Sequence, residues 1–187
     1  MQNNLPEEVI LKAANGDMEA FRAVYETYSE FVFNVALRVA RYREDAKEIT
    51  QEVFVTVHNK LKSFRHRSAL RTWMYRITVN TALNYLKKHS RMKNKTVEYD
   101  DALGSRYSKD YISEKADREH QENVINKLLG FLTPEQRVCI VLRNIEGLSY
   151  EDMAKVLDID INAVRSRLKR AREKLLSVRK EVMVNEL

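Results

Sequence analysis

Apolar residues recur along most of this chain at three- and four-residue steps, the spacing that gathers them on one side of an α-helix. Phe21, Val24, Tyr25, Tyr28, Val32, Val35 and Val39 form one such stripe, opened by Asp17, whose carboxylate suits a helix N-terminus. Before it, Pro6, Leu11 and the stop signal Asn15-Gly16 outline a short first helix. A third helix is expected from about Glu44 to Leu61, on Ala46, Ile49, Val53, Phe54, Val57 and Leu61. The polar stretch Ser63-Phe64-Arg65-His66-Arg67-Ser68 then breaks the pattern. Ser68 can cap a fourth helix reaching about Lys88, with Leu70, Trp73, Met74, Ile77 and Thr81 facing inward. Arg76, Asn80, Asn84 and Lys87 fall on one polar stripe of that same helix.

Over residues 92–121 the periodicity fades into an acidic segment containing Gly104, which reads as a linker. It returns in a helix from about Glu122 to Phe131. Thr133-Pro134-Glu135-Gln136 is a strong helix start, with a threonine cap, proline first and glutamine third. Val138, Ile140, Val141 and Leu142 make that helix buried, and Glu146-Gly147 ends it. Ser149-Tyr150-Glu151-Asp152 opens a short helix with Met153, Ala154 and Leu157 inward. The turn Asp158-Ile159-Asp160 leads to a last helix built on Val164, Leu168, Ala171 and Leu175. Two short helices across a tight turn, the second one basic, form a helix-turn-helix pattern. The expected fold is all-α. Two small helical domains, residues 1–92 and 122–187, are joined by a flexible acidic linker over 93–121, and the C-terminal one is a helix-turn-helix. A content of 4 Gly and 2 Pro agrees, since strands and tight turns usually need more of both.

Charge changes the picture from fold to partner. The net charge of +6 is concentrated in two islands. Residues 53–97 carry eleven Lys and Arg and no acid, and residues 161–180 carry eight with one acid, Glu173. Solvated helix faces usually mix signs, so two unmixed islands in an otherwise acidic chain imply two contacts with a polyanion. In the second island, Arg165 and Lys169 are candidate base readers, Arg167, Arg170 and Arg172 candidate phosphate clamps, and Ser166 can contact either. In the first, Phe64, Trp73, Tyr75 and Tyr85 interleave with the cations, an arrangement suited to stacking unpaired bases. Periodicity also places Trp73 on the core side, and for both Trp73 and Phe64 packing and base contact stay open.

The remaining chemistry is sparse. Cys139 lies in an apolar run and reads as a core residue, and His58, His66, His89 and His120 have no metal-ligand spacing with it. No metal or other cofactor is expected. The N-terminus lacks the basic and apolar regions of a signal peptide, and no apolar run approaches the ~20 residues of a membrane span. A soluble, cytoplasmic protein without membrane insertion is the expectation.

Three stretches carry a family likeness. The first is Gly16-Asp17 to Phe21, followed by Asp45-Ala46-Lys47-Glu48-Ile49-Thr50-Gln51-Glu52-Val53-Phe54. The second is Ser63-Phe64, then Thr72-Trp73-Met74-Tyr75-Arg76-Ile77 and Asn80. The third is Leu132-Thr133-Pro134-Glu135-Gln136-Arg137, then Gly147-Leu148-Ser149-Tyr150-Glu151, then Val164-Arg165-Ser166-Arg167-Leu168 with Arg170-Ala171-Arg172. In this order and spacing the chain resembles an extracytoplasmic-function sigma factor of the sigma-70 family, over nearly its whole length.

The resemblance implies an alternative sigma factor that binds core RNA polymerase, directs promoter-specific initiation and catalyses nothing itself. It implies a polymerase face at Asp45, Glu48, Gln51 and Glu52 for the clamp helices of the largest subunit, and a further contact with the polymerase flap. It implies a single-strand −10 contact through Phe64, Arg65, His66, Arg67, Arg76, Asn80, Asn84 and Lys87. It implies a duplex −35 contact through Arg165, Ser166, Arg167, Lys169, Arg170 and Arg172, and restraint by an anti-sigma factor. Two departures bear on specificity. Asn162-Ala163 stands where many members have Gly-Thr, and Arg65-His66-Arg67 is bulkier and more basic than the family's usual loop. A nuclease or recombinase would need acids or a nucleophile beside the basic groove, and residues 53–97 hold no acid. A helix-turn-helix regulator acting without replacing the polymerase sigma subunit would leave the first island without a task.

Overall fold

In a computed structural model, the structure describes residues 5–65, 69–95 and 124–185, and every regular element among them is helical. Helix α1 spans Glu7–Ala14, α2 Met18–Ala40, α3 Arg43–Lys60 and α4 Leu70–Lys95, with a single 3₁₀ turn at Leu61–Ser63. Helix α5 covers residues 124–130. Helix α6, Pro134–Ile140, widens into a π-helical turn at Val141–Ile145, and α7, Tyr150–Leu157, and α8, Ile161–Asn185, follow. The expected linker lies mostly outside the described residues, as does Ser68; α4 itself continues seven residues past the expected end at Lys88.

The N-terminal unit is built by burying three helix stripes against one another. Helix α2 packs on α1, α3 and α4, and α3 packs on α4. Val24, Val32, Val35 and Val39 of α2, Ile49, Val53 and Val57 of α3, and Met74 and Val79 of α4 are all fully buried. Asp17 caps α2 as expected, its Oδ1 accepting the Ala20 amide at 3.0 Å. Buried hydroxyls satisfy themselves locally: Thr50 donates to the Ala46 carbonyl at 2.7 Å and Thr78 to that of Met74 at 2.8 Å.

The C-terminal unit closes on α6, α7 and α8 around Val138, Cys139, Leu142, Met153, Val164, Leu168 and Ala171. Its start signals form as read. The Thr133 hydroxyl accepts the Gln136 amide at 3.3 Å, and the Gln136 side chain accepts the Thr133 amide at 3.1 Å, a reciprocal capping box. Ser149 caps α7 through the Asp152 amide at 3.0 Å. Gly147, at φ 73°, occupies the left-handed region just after the π turn, where a side chain would be strained. Asp158, at φ 54°, makes the same reversal between the two helices of the helix-turn-helix, a conformation that aspartate tolerates better than most residues.

Removing the capping hydroxyl in Thr133→Ala should lower the stability of the chain by about 1 kcal/mol, read as a lower midpoint in denaturant. Burial also pushes the Cys139 thiol up to about 11. At pH 8 only about one thiol in a thousand would then be thiolate. A thiol reagent should therefore modify the folded chain far more slowly than the unfolded one, as a timed thiol-labelling assay would register.

Candidate nucleic-acid interface

The cations of α8 stand where the helix-turn-helix pattern puts them. Val164, Leu168 and Ala171 are buried inward, so the opposite face presents Arg165, Ser166, Lys169, Arg170 and Arg172 to solvent, with Arg167 half-buried at its edge. Asp160 begins the helix by accepting the Asn162 amide at 2.6 Å, and Asn162 Oδ1 in turn receives Arg165 Nη1 at 3.1 Å. Asn162, a departure from the family motif, therefore braces a candidate base reader at the N-terminal end of the recognition helix. Lys169 is within 3.9 Å of Glu173, both well exposed, an ion pair too solvated to restrain it.

On α4, Arg76, Asn80, Asn84 and Lys87 are all exposed, as one stripe. Arg65 is exposed beside it, whereas His66 and Arg67 lie outside the described residues. The aromatics divide differently from the sequence reading. Phe64 is half-buried and its ring lies 5.3 Å from that of Trp73, so these two form a pair at the foot of the stripe. Tyr75 is only 3% exposed and is a core and bridging residue, not a base-stacking platform. Tyr85 turns toward α3. The period that aligns Arg76 with Asn80 carries Tyr75 and Tyr85 round to other faces of the helix.

Tyr85 joins the second candidate surface. Its hydroxyl donates to Glu48 Oε2 at 2.8 Å and lies 3.2 Å from Asp45 Oδ1. Burial, with these two carboxylates, raises its pKa, so it remains a donor. Its ring stacks on His89 at 4.1 Å. Glu48, Gln51 and Glu52 are exposed on α3 at successive turns and Asp45 is half-buried at their end. Together with Val55, 62% exposed, the three exposed residues line one wall of a groove of about 470 Å³, whose other wall is Asn84, Tyr85, Lys88 and His89. Asn84 thus borders this groove as well as the α4 stripe.

A third cluster lies between the two units, and no sequence signal pointed to it. Glu146, read only as a helix stop, has a side chain 10% exposed and faces the N-terminal unit. Arg38 Nη1 reaches its Oε1 at 2.9 Å, the Tyr75 hydroxyl donates to its Oε2, and Arg71 Nη2 lies 3.6 Å away. Burial, and next this bond to Glu146, raise the Tyr75 pKa, so the phenol stays protonated. Arg71 also covers the Phe31 ring at 4.3 Å, and Phe31 meets Tyr75 edge-on.

Nearby, Arg137 is 6% exposed and meets carbonyls instead of a carboxylate. It donates to Leu129 at 2.9 Å, to Leu132 at 3.0 Å, and across the interface to the carbonyl of Val39. Val39 and Leu129 sit at the C-terminal ends of α2 and α5, where carbonyls lack helical partners and carry partial negative charge. Burial lowers the Arg137 pKa to about 10, with Arg41 contributing next, which leaves it a cation at neutral pH. Among the described residues no group of histidine, cysteine and carboxylates could hold a metal ion, and no helix is long and apolar enough to cross a membrane.

Known proteins share both halves. The chain matches the family described as Sigma-70 region 2 over residues 24–92 and that described as Sigma-70, region 4 over residues 123–175. The ECF RNA polymerase sigma-E factor of Haemophilus influenzae is 33% identical over 180 residues, spanning 92% of this chain and 95% of that protein. The RNA polymerase sigma-H factor of Pseudomonas aeruginosa is 34% identical over 173 residues, 89% of this chain and 90% of that one. Among solved structures, CnrH in complex with the cytosolic domain of CnrY has a TM-score of 0.64 at 23% identity, covering 93% of this chain and 96% of that chain. The sigma factor RpoE of Bartonella quintana, in complex with the anti-sigma factor NepR, also reaches 0.64, at 22% identity, covering 86% of this chain and 96% of that one. The two structures establish the shared fold, and the two curated relatives the kinship: this chain belongs to the extracytoplasmic-function sigma factors of the sigma-70 family.

Proposed function

We propose that this chain acts in the cytoplasm as an alternative sigma factor, binding core RNA polymerase and choosing its promoters, with no catalytic step of its own. The observation that carries the reading is the pair of cationic helix faces, on α4 and α8, together with an acidic face on α3 that DNA would repel. We take residues 1–92 and 122–187 as the two working units. A helix-turn-helix regulator would account for α8 alone and leave α3 and α4 without partners.

In this reading Asp45, Glu48, Gln51 and Glu52 meet the clamp helices of the polymerase, and the C-terminal unit meets the flap. Tyr85 keeps two of these carboxylates in place. Phe64 to Arg67, with Arg76, Asn80, Asn84 and Lys87, receives the unpaired −10 strand. The polar stripe neutralises phosphates, and the energy of captured bases offsets unstacking without ATP. The −35 duplex is read in its major groove by Arg165 and Lys169, with Arg167, Arg170 and Arg172 on phosphates and Ser166 on either. An anti-sigma factor that covers both DNA faces would hold the protein inactive.

The central experiment is promoter-dependent transcription with purified core polymerase. Arg165→Ala should weaken −35 recognition by about 1–3 kcal/mol and relax specificity there. Asn80→Ala should leave duplex binding intact and slow strand opening, followed by permanganate reactivity of unpaired thymines. Normal transcription by both variants would refute these assignments. Glu52→Lys should weaken the complex with core polymerase, measured by native electrophoresis, while leaving the free chain's affinity for −35 duplex unchanged.

A further inference from the structure

We propose that Asn162 is a specificity-determining residue of the −35 contact: its amide oxygen orients Arg165, and its amide nitrogen selects a guanine or thymine in the base pair beside the one that Arg165 reads. The proposal rests on the reading of α8 as the recognition helix of that contact. Asn162 and Arg165 are both exposed and lie one helical turn apart. Asp160 Oδ1 accepts the backbone amide of Asn162 at 2.6 Å, which fixes the chain beneath that side chain. Asn162 Oδ1 then accepts from Arg165 Nη1 at 3.1 Å. A guanidinium can only donate, so this bond fixes which way round the carboxamide stands, with its oxygen toward Arg165 and its nitrogen left over.

The carboxamide is neutral, so it aligns Arg165 without cancelling its charge, unlike the carboxylate of Glu173 beside Lys169. The guanidinium keeps enough donors for a bidentate contact with O6 and N7 of guanine. An asparagine with its amide free pairs with adenine, accepting from N6 while donating to N7. Here Arg165 competes for the oxygen on which that pairing depends. What is left is the Nδ2 amino group, a donor that suits a base offering acceptors in the major groove. Guanine does so through O6 and N7, and thymine through O4, whereas adenine and cytosine set an amino group in that place. Residues three apart rise about 4.5 Å along a helix. A base-pair step is ~3.4 Å, so the base that Asn162 meets belongs to the neighbouring pair.

The test is a selection from promoters with a randomised −35 element, made with the full chain alone on duplex and again with the chain bound to core polymerase. Arg165→Ala locates its own pair by flattening the preference there and, by freeing the Asn162 oxygen, should also relax the pair beside it. In the unaltered protein that second pair should be discriminated about tenfold. Asn162→Asp keeps the acceptor that holds Arg165 and removes the donor. It should retain the preference at the pair of Arg165 and move the neighbouring one from guanine to adenine or from thymine to cytosine. Either exchange puts an amino group where a carbonyl stood. Asn162→Ala removes oxygen and nitrogen together, and should flatten the neighbouring preference and weaken the one at the pair of Arg165. Base preference is the readout, so repulsion between a new carboxylate and phosphates, equal for every sequence, does not enter.

An Asn162→Asp variant that keeps the native preference at every pair, or an Asn162→Ala variant that alters none, would overturn the proposal. If the free chain and its variants select duplexes in the expected pattern but yield no transcript with core polymerase, the sigma-factor reading falls and Asn162 stands as a base reader. If neither form selects any duplex, both fall.

Discussion

Helices of this length have little stability alone in water, and everything else in the N-terminal unit follows from how α2, α3 and α4 bury one apolar stripe each. The seam is rich in valine, with Val24, Val32, Val35 and Val39 of α2 fully enclosed. β-Branched side chains keep one rotamer in a helix, so the seam fixes helix rotation as well as helix position. Once α3 has turned Ile49, Val53 and Val57 inward, Glu48, Gln51 and Glu52 must face out. Once α4 has buried Met74 and Val79, Arg76 and Asn80 are committed to solvent. The candidate functional faces are the outer sides of a hydrophobic solution.

The same logic governs the C-terminal unit, with one difference in what it buries. Among the described residues, Arg137 is the charged side chain in the buried class. A buried cation is costly unless its donors are used, and its guanidinium is spread over three carbonyls drawn from two units. Glu146 solves the complementary problem with three donors. These polar contacts accompany an apolar core that is continuous from the N-terminal helices into α6, α7 and α8.

The surfaces also separate by sign. The acidic wall on α3 and the cationic stripe on α4 belong to adjacent helices, and Tyr85 and Asn84 stand on the border between them. The two surfaces share Asn84, which lines the groove beside the acids and also belongs to the polar stripe of α4. On α8 the cations occupy one long helix, and Asn162 braces Arg165 at its start. That brace gives a physical role to the residue by which this chain departs from the family motif.

The amino-acid sequence by itself determined what depends on neighbours along the chain. Asp17, Thr133 and Ser149 cap the helices they were expected to cap, because a cap bonds to an amide two or three residues on. The apolar stripes were legible because helical period decides which side is buried. So were the exposed positions of Arg76, Asn80, Arg165 and Arg172. Tertiary structure decided what depends on residues far apart. It drew Tyr75 into the interface and Tyr85 to the acids of α3, where composition alone had grouped both with the base-stacking aromatics. It turned Glu146 from a helix stop into a partner of Arg38, and Arg137 into a clamp on Val39, across separations of 108 and 98 residues. Periodicity carries no information across such distances: a buried charge meets its partner only where packing brings residues far apart in the chain together.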